Sequence, residues 1–154
     1  MKHILFFVLT LSLATLACSP AKKAASSQIT QGITGRITEA IGNQMPMKDA
    51  PPRQPQGILT DVLIYEPTNL RQVSRLGSSS IYTAIRTKLV ASVTTDSSGH
   101  YTVALPVGSY SIFLKHGSQY YANLFDTNNN IAVFTVDSNK LTKADLSISL
   151  KASF

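Results

Sequence analysis

Short segments in which apolar and polar residues alternate recur along most of this 154-residue chain. Successive side chains of a strand point to opposite faces, so this alternation predicts strands with one buried face. His100–Leu105 shows it most clearly, because Tyr101, Val103 and Leu105 fall on one face. No segment after residue 17 has the 3.6-residue period of an amphipathic helix. The pattern therefore predicts an all-β fold.

Seven segments carry this signal, and together they predict an antiparallel β-sandwich. They are Gln31–Glu39, Ile58–Tyr65, Lys88–Thr94, His100–Leu105, Ser109–Lys115, Ala132–Val136 and Ala144–Leu150. Ile58–Tyr65 is nearly continuous apolar sequence, which indicates a strand covered on both faces. The expected core residues are Tyr101, Val103, Leu105, Tyr110, Ile112, Leu146 and Ile148. Ser111 falls on the opposite face, where we expect it to be exposed.

Three short polar segments predict tight turns between these strands: Thr95–Gly99, Leu105–Gly108 and Asp126–Asn130. Two longer segments are harder to assign. Gly42–Gly57 holds four of the seven prolines and predicts an extended loop. Thr68–Thr87 is ambiguous, and within it Ser80–Arg86 fits either a short strand or one helical turn.

The start of the chain has the layout of an export signal. A basic start is followed by an apolar stretch and by Ala17, directly before the chain's only cysteine, Cys18. Residues 1–17 are therefore predicted to be a signal peptide. The Leu16-Ala17-Cys18 ending resembles a bacterial lipobox, which implies that Cys18 is acylated and becomes the mature N-terminus. The alternative is that Cys18 is incidental in an ordinary secretory signal.

Residues 18–29 have no hydrophobic periodicity and predict a flexible tether between the lipid and the domain. Lipoproteins with a residue other than Asp after the cysteine tend to reach the outer membrane, and Ser19 fits that tendency. The tether lacks the acidic run that resembles a surface-export signal. We therefore expect an outer-membrane location, with the periplasmic face favoured over the cell surface.

The charge pattern does not favour a nucleic-acid partner. The formal net charge is +6, but the basic residues are scattered and form no run apart from Lys22-Lys23. A nucleic-acid interface would need a basic stripe with interleaved aromatic residues. The expected partners are instead the membrane, through the N-terminal lipid, and an envelope protein.

The hairpin centred on residues 95–112 carries a recognisable motif. It follows the pattern T-D-x-x-G-x-Y and then L-P-x-G-x-Y, with matches at Asp96, Gly99, Tyr101, Leu105, Pro106, Gly108 and Tyr110. This run resembles the carboxypeptidase regulatory-like domains found in single-domain lipoproteins of the Bacteroidetes type. The resemblance covers about residues 30–154. It implies a seven-stranded, prealbumin-like (transthyretin-like) Greek-key sandwich that acts as an accessory rather than as an enzyme.

No pattern in the chain predicts catalysis, a metal site or a cofactor. His100 and His116 are the only histidines after the predicted signal peptide, without zinc-ligand spacing, and no G-x-S-x-G elbow is present. Asp126, Asn128 and Asn130 are spaced like the first ligands of a calcium loop. However, Ile131 stands where such a loop needs glycine, so an Asn-rich turn is favoured.

The residues Tyr120, Tyr121, Asn123 and Asp126 are the candidate ligand-binding group. Aromatic rings could stack on a sugar while the polar groups orient its hydroxyls, and the superfamily that the resemblance indicates includes carbohydrate-binding modules. The favoured alternative is that Tyr121 and Phe125 are buried at one end of the sandwich, with Tyr120 exposed. The function expected is thus a non-catalytic, protein-binding envelope lipoprotein; the alternative is carbohydrate binding through the Tyr120–Asp126 loop.

Mass spectrometry of the mature N-terminus tests the predicted lipid anchor. We expect a chain that starts at Cys18 and carries several acyl chains, because a single chain anchors a protein only marginally. Cys18→Ala should release the protein from the membrane fraction. An unmodified cysteine, or cleavage at another residue, would contradict this prediction.

Overall fold

The structure is a computed structural model that describes residues 28–45 and 54–153. The predicted signal peptide, Cys18 and most of the predicted tether lie outside these residues. So does the middle of the predicted loop Gly42–Gly57, from residue 46 to residue 53.

The described residues form twelve strands and one short 3-10 helix, Leu70–Gln72, and the all-β prediction is confirmed. The strands are β1 Gly32–Asn43, β2 Gln56–Gly57, β3 Asp61–Tyr65, β4 Val73–Arg75, β5 Ile81–Ile85, β6 Leu89–Thr94, β7 His100–Ala104, β8 Gly108–His116, β9 Gln119–Tyr121, β10 Val133–Val136, β11 Leu141–Lys143 and β12 Leu146–Ser153. All seven predicted strands are present, as β1, β3, β6, β7, β8, β10 and β12.

The strands form two sheets with a shared core between them. One sheet has five strands and contains β1, β2, β7, β11 and β12. The other has seven, in the order β4-β5-β9-β8-β3-β6, with β10 also paired to β8. Side chains from both sheets fill the core, including Ile33 and Ile37 of β1 and Val62, Ile64 and Ile112 of the larger sheet. The predicted core residues are buried there, except that Val103 is only partly buried.

The prediction of a purely antiparallel fold is wrong for β1, which runs parallel to both β11 and β12. The chain leaves β10 in the larger sheet and crosses to the smaller one, so it enters beside β1 in the same direction. Gly35 lies where the neighbour of β1 changes from β11 to β12. A Cβ at this position would lie 2.1 Å from the Ala144 carbonyl oxygen, so no other residue fits without movement.

The strand count of seven is also corrected, because residues outside the seven predicted segments form five additional short strands, β2, β4, β5, β9 and β11. Thr68–Thr87 supplies β4 and β5, so the strand alternative for Ser80–Arg86 is the right one. At Gly42–Gly57, β1 continues to Asn43 and β2 pairs back onto it. These strands are short and become regular only through pairing with distant strands, so local alternation does not reveal them.

A second hydrophobic cluster covers the outer face of the seven-stranded sheet. Its buried members are Tyr65, Val73, Tyr82, Phe113, Ala122, Ile131 and Ala132. Phe113 lies at its centre, with the rings of Tyr65 and Tyr82 edge-on at centroid distances of 5.6 and 5.5 Å. We call this cluster the outer layer. It confirms that β3 is covered on both faces, since Val62 and Ile64 face the shared core while Tyr65 faces the outer layer.

Because of the outer layer, the expected exposure of Ser111 is wrong. Ser111 is fully buried, and its Oγ accepts a 2.9 Å hydrogen bond from the Thr68 backbone N–H. The Thr68 carbonyl in turn accepts a 2.8 Å bond from the Ile131 N–H. Ser111 therefore links the sheet to two segments that build the outer layer.

Ser111→Ala tests this correction. The substitution leaves the buried Thr68 N–H without an acceptor, and we expect the free energy of unfolding to fall by about 1–3 kcal/mol. Ser97→Ala, at an exposed position in the turn before β7, is the matched control and should change it by less than about 0.5 kcal/mol. Chemical denaturation measures both. Equal, small effects would show that Ser111 does not anchor the outer layer.

Candidate functional site

The first half of the hairpin motif builds a turn that docks on β1. The Asp96 carboxylate accepts the N–H groups of His100 at 2.9 Å and Ser98 at 2.8 Å. The hydrogen bond from the His100 backbone is the main cause that holds the pKa of Asp96 below its usual range. Gly99 adopts a φ of +86°, and a Cβ there would lie 2.1 Å from the Ile37 carbonyl oxygen. The motif residues Asp96 and Gly99 therefore serve the fold.

The two motif tyrosines also hold the backbone in place. The buried Tyr101 hydroxyl donates a 2.8 Å hydrogen bond to the Ala144 carbonyl, between β11 and β12, and burial raises its pKa. The Tyr110 hydroxyl donates to the Pro106 carbonyl at 3.0 Å, which closes the turn between β7 and β8. Each side chain ties one end of the hairpin to a carbonyl that no strand partner uses, so their roles are structural.

Tyr120 and Tyr121 lie in β9, and therefore point to opposite faces of the sheet. Tyr121 enters the shared core and is 2% exposed, as predicted. Its hydroxyl donates to the Ser147 carbonyl at 3.3 Å. Tyr120 is half-buried against the outer layer rather than fully exposed. The Lys115 ammonium lies 5.0 Å from its ring centroid. The two rings therefore form no common stacking surface.

Asn123 and Asp126 are exposed but bonded to their own surroundings. The Asn123 Nδ2 lies 3.5 Å from the Ser147 carbonyl oxygen. Asp126 Oδ1 accepts the N–H groups of Asn128 and Asn130, each at 2.8 Å, and Oδ2 accepts from the Asn130 side chain at 2.8 Å. The backbone hydrogen bond from Asn130 is the main cause that lowers the pKa of Asp126.

This geometry is that of an Asn-rich turn, the interpretation that the sequence favoured over a calcium loop. Both Asp126 carboxylate oxygens accept hydrogen bonds from N–H groups. A bound cation would need these oxygens free to coordinate it. Across residues 28–45 and 54–153 there is no group of three or more His, Cys, Asp and Glu side chains arranged to hold a metal ion. The four predicted site residues thus lie in one region, but their functional groups do not converge.

Phe125 was expected to be buried, and this expectation is wrong, because 41% of it is exposed. Ile131 and Ala132 fill the outer layer at this place instead. The guanidinium carbon of Arg75 lies 5.6 Å from the Phe125 ring centroid. Their sequence neighbours Leu76 and Leu124 are also exposed, by 54% and 43%. We call these four residues the Arg75–Phe125 patch.

The patch joins residues from segments about fifty positions apart, so no local sequence pattern reveals it as a whole. Arg75 ends β4, in the segment that local alternation left unassigned. Its guanidinium donates to the Ser79 carbonyl, and at 2.7 Å to the Ser78 carbonyl, so the side chain is fixed by the turn before β5. The usable sequence signal was the pair of adjacent apolar residues Leu124-Phe125 next to a polar turn.

Comparison of the chain with protein-family models, curated proteins and solved structures finds no match. Within the described ranges, no helix has the length and apolar character to cross a membrane.

The lowered pKa of Asp126 predicts how its turn responds to acid. The folded-state pKa is depressed, so the stabilisation is complete above the ordinary aspartate range and is lost as the pH falls through the depressed value. The protection of the Asn128 and Asn130 amides against hydrogen exchange, measured relative to their intrinsic exchange rates at each pH, should fall in that window. Asp126→Asn removes the charge and should abolish this pH dependence. NMR can monitor the titration of the Asp126 carboxyl group directly. A midpoint at the ordinary pKa of aspartate would contradict the prediction.

Proposed function

We propose that this protein is a lipid-anchored, non-catalytic module of the bacterial envelope that binds a protein partner. The proposed anchor is Cys18, and the proposed location is the outer membrane, with the periplasmic face favoured. The observation that carries protein binding is the Arg75–Phe125 patch, in which the Arg75 guanidinium lies 5.6 Å from the ring centroid of the exposed Phe125, with exposed leucines next to both residues in the chain.

The chemistry of this patch suits a protein interface. Aromatic residues and arginine are enriched in interface cores and among the residues that contribute most to binding. Arg75 is already held by two carbonyl groups, so less side-chain entropy is lost when a partner covers it. The patch also lies at a sheet edge, because β4 pairs only with β5 among the described strands.

The finer fold assignment is part of the proposal. We propose a prealbumin-like Greek-key sandwich of the carboxypeptidase regulatory-like kind, spanning about residues 30–154. Support comes from the motif residues. Asp96 and Tyr110 close the hairpin's own turns, while Gly99 packs against β1 and Tyr101 bonds to the Ala144 carbonyl. A motif whose side chains stabilise a fold is consistent with an accessory role rather than a catalytic one.

Carbohydrate binding through the Tyr120–Asp126 loop is the alternative. The partly exposed ring of Tyr120 favours it, since this aromatic side chain remains partly accessible at the surface. Protein binding is preferred, because Tyr121 is buried and the Asp126 carboxylate is occupied by its own turn.

Site-specific photo-crosslinking in intact cells tests the proposed function. A photoreactive phenylalanine analogue at position 125 should give one discrete protein adduct. The same analogue at Val107, which is 60% exposed on the turn between β7 and β8, should not. Arg75→Ala should reduce the adduct without lowering the melting temperature much, because Arg75 is exposed. Identical adducts at both positions, or none at position 125, would contradict protein binding through this patch.

A further inference from the structure

The strand β6, Leu89–Thr94, forms the opposite edge of the seven-stranded sheet from β4. Among the residues that the structure describes, it pairs with β3 alone. Its sequence, Leu-Val-Ala-Ser-Val-Thr, contains neither a charge nor a proline, and Leu89 and Val90 are 46% and 40% exposed. Proteins usually protect exposed strand edges with charges, proline or a covering segment. The sequence of β6 provides neither a charge nor a proline for this protection.

The outward backbone groups of β6 follow from its pairing with β3. Thr95 N–H donates to the Thr60 carbonyl at 2.9 Å, and the same register pairs Val62 with Val93. In an antiparallel ladder, hydrogen-bonded pairs alternate with pairs whose backbone groups point away. The N–H and C=O groups of Ser92 and Thr94 therefore point away from β3, towards a potential neighbouring strand.

Two other strands at sheet edges, β4 and β12, carry protection that β6 lacks. β4 has three residues, and the guanidinium of Arg75 folds over the following turn. β12 carries Lys151, whose ammonium lies 3.1 Å from Glu39 on β1. A charged lysine on an edge opposes strand addition.

We propose that β6 is the surface through which two copies of this chain associate, by antiparallel pairing about a two-fold axis at Ser92. The bulge at Val90 limits the regular pairing with β3 to the residues from Ala91 to Thr94. Of the two residues there whose backbone groups point outward, Ser92 lies inside the stretch and Thr94 ends it. In this register Ser92 faces Ser92 of the second copy, and Val90 faces Thr94. This inference goes beyond the proposed function and uses a different edge of the sheet.

Charge favours a second copy as the occupant. The two-fold register that centres on Ser92 also brings Lys88 of each copy to the end of the strand where Asp96 of the other copy lies. Both side chains are exposed. A two-fold contact uses the same patch on both subunits, so a charge at the axis residue Ser92 would face the same charge on the other copy. The uncharged strand with one cation before it and one anion after it is thus self-complementary.

Charge reversal at the two-fold axis tests the proposal with the full-length lipoprotein solubilised in detergent. Sedimentation should show a dimer for the wild type. Ser92→Lys alone and Ser92→Glu alone should each weaken the dimer at least about tenfold, because like charges then meet across the interface. A mixture of the two variants should restore association as a mixed dimer, recovered through a tag on one of them.

Cysteine crosslinking provides a second measurement in native membranes. Facing Cα atoms in such a pair are about 5.5 Å apart, which is within disulfide range. Ser92→Cys should therefore give a covalent dimer on oxidation. Ser97→Cys, also exposed but beyond the end of the strand, is the matched control and should not. Cys18 is the only native cysteine and is common to both variants.

Three outcomes would overturn the proposal. One is a wild type that stays monomeric at high concentration, and another is a dimer that Ser92→Lys leaves intact. The third is a Ser92→Cys protein that links to a different protein rather than to itself, since β6 would then be an edge for a foreign strand. The melting temperature of each variant, expected to match the wild type because Ser92 is exposed, separates loss of pairing from loss of fold.

Discussion

Burial of both faces of the seven-stranded sheet is the constraint on which the rest of this structure depends. One face packs on the smaller sheet, and the other carries the outer layer around Phe113. Covering the second face brings backbone from two long connections into an apolar environment, where each polar group needs a partner. Ser111 and Thr68 provide these partners, and the Thr68 hydroxyl also contacts the Thr87 hydroxyl oxygen at 2.6 Å. Phe125 of the Arg75–Phe125 patch pairs with Ile131 of that layer and remains exposed.

The alternation in the sequence was sufficient to predict the seven main strands and the shared core. It works where one face is apolar and the other polar, as in His100–Leu105. It fails at Ser111, because a small polar residue on an outward face looks solvent-exposed whether or not another layer covers it. The consecutive apolar residues Ile112, Phe113 and Leu114 were the available signal, since three in a row require that both faces be buried.

Strand direction and the extra strands could not be predicted in the same way. Alternation is identical in parallel and antiparallel strands, so it says nothing about how β1 pairs with β11 and β12. At the candidate site, by contrast, a simple rule was available. Tyr120 and Tyr121 are adjacent, and adjacent residues of a strand face opposite ways, so they could share one surface only if residues 119–121 were not a strand.

The two surfaces proposed for binding lie at opposite edges of the same sheet. Between β4 and β6 lie β5, β9, β8 and β3, so at about 4.8 Å per strand the two edges are roughly 24 Å apart. Pairing through β6 therefore leaves the Arg75–Phe125 patch uncovered on both copies. A dimer of this kind presents two patches at its far ends, and a partner with two sites would bind it more tightly than the monomer without any new contact. Because self-association and partner binding use separate edges, one can be abolished by substitution while the other is measured.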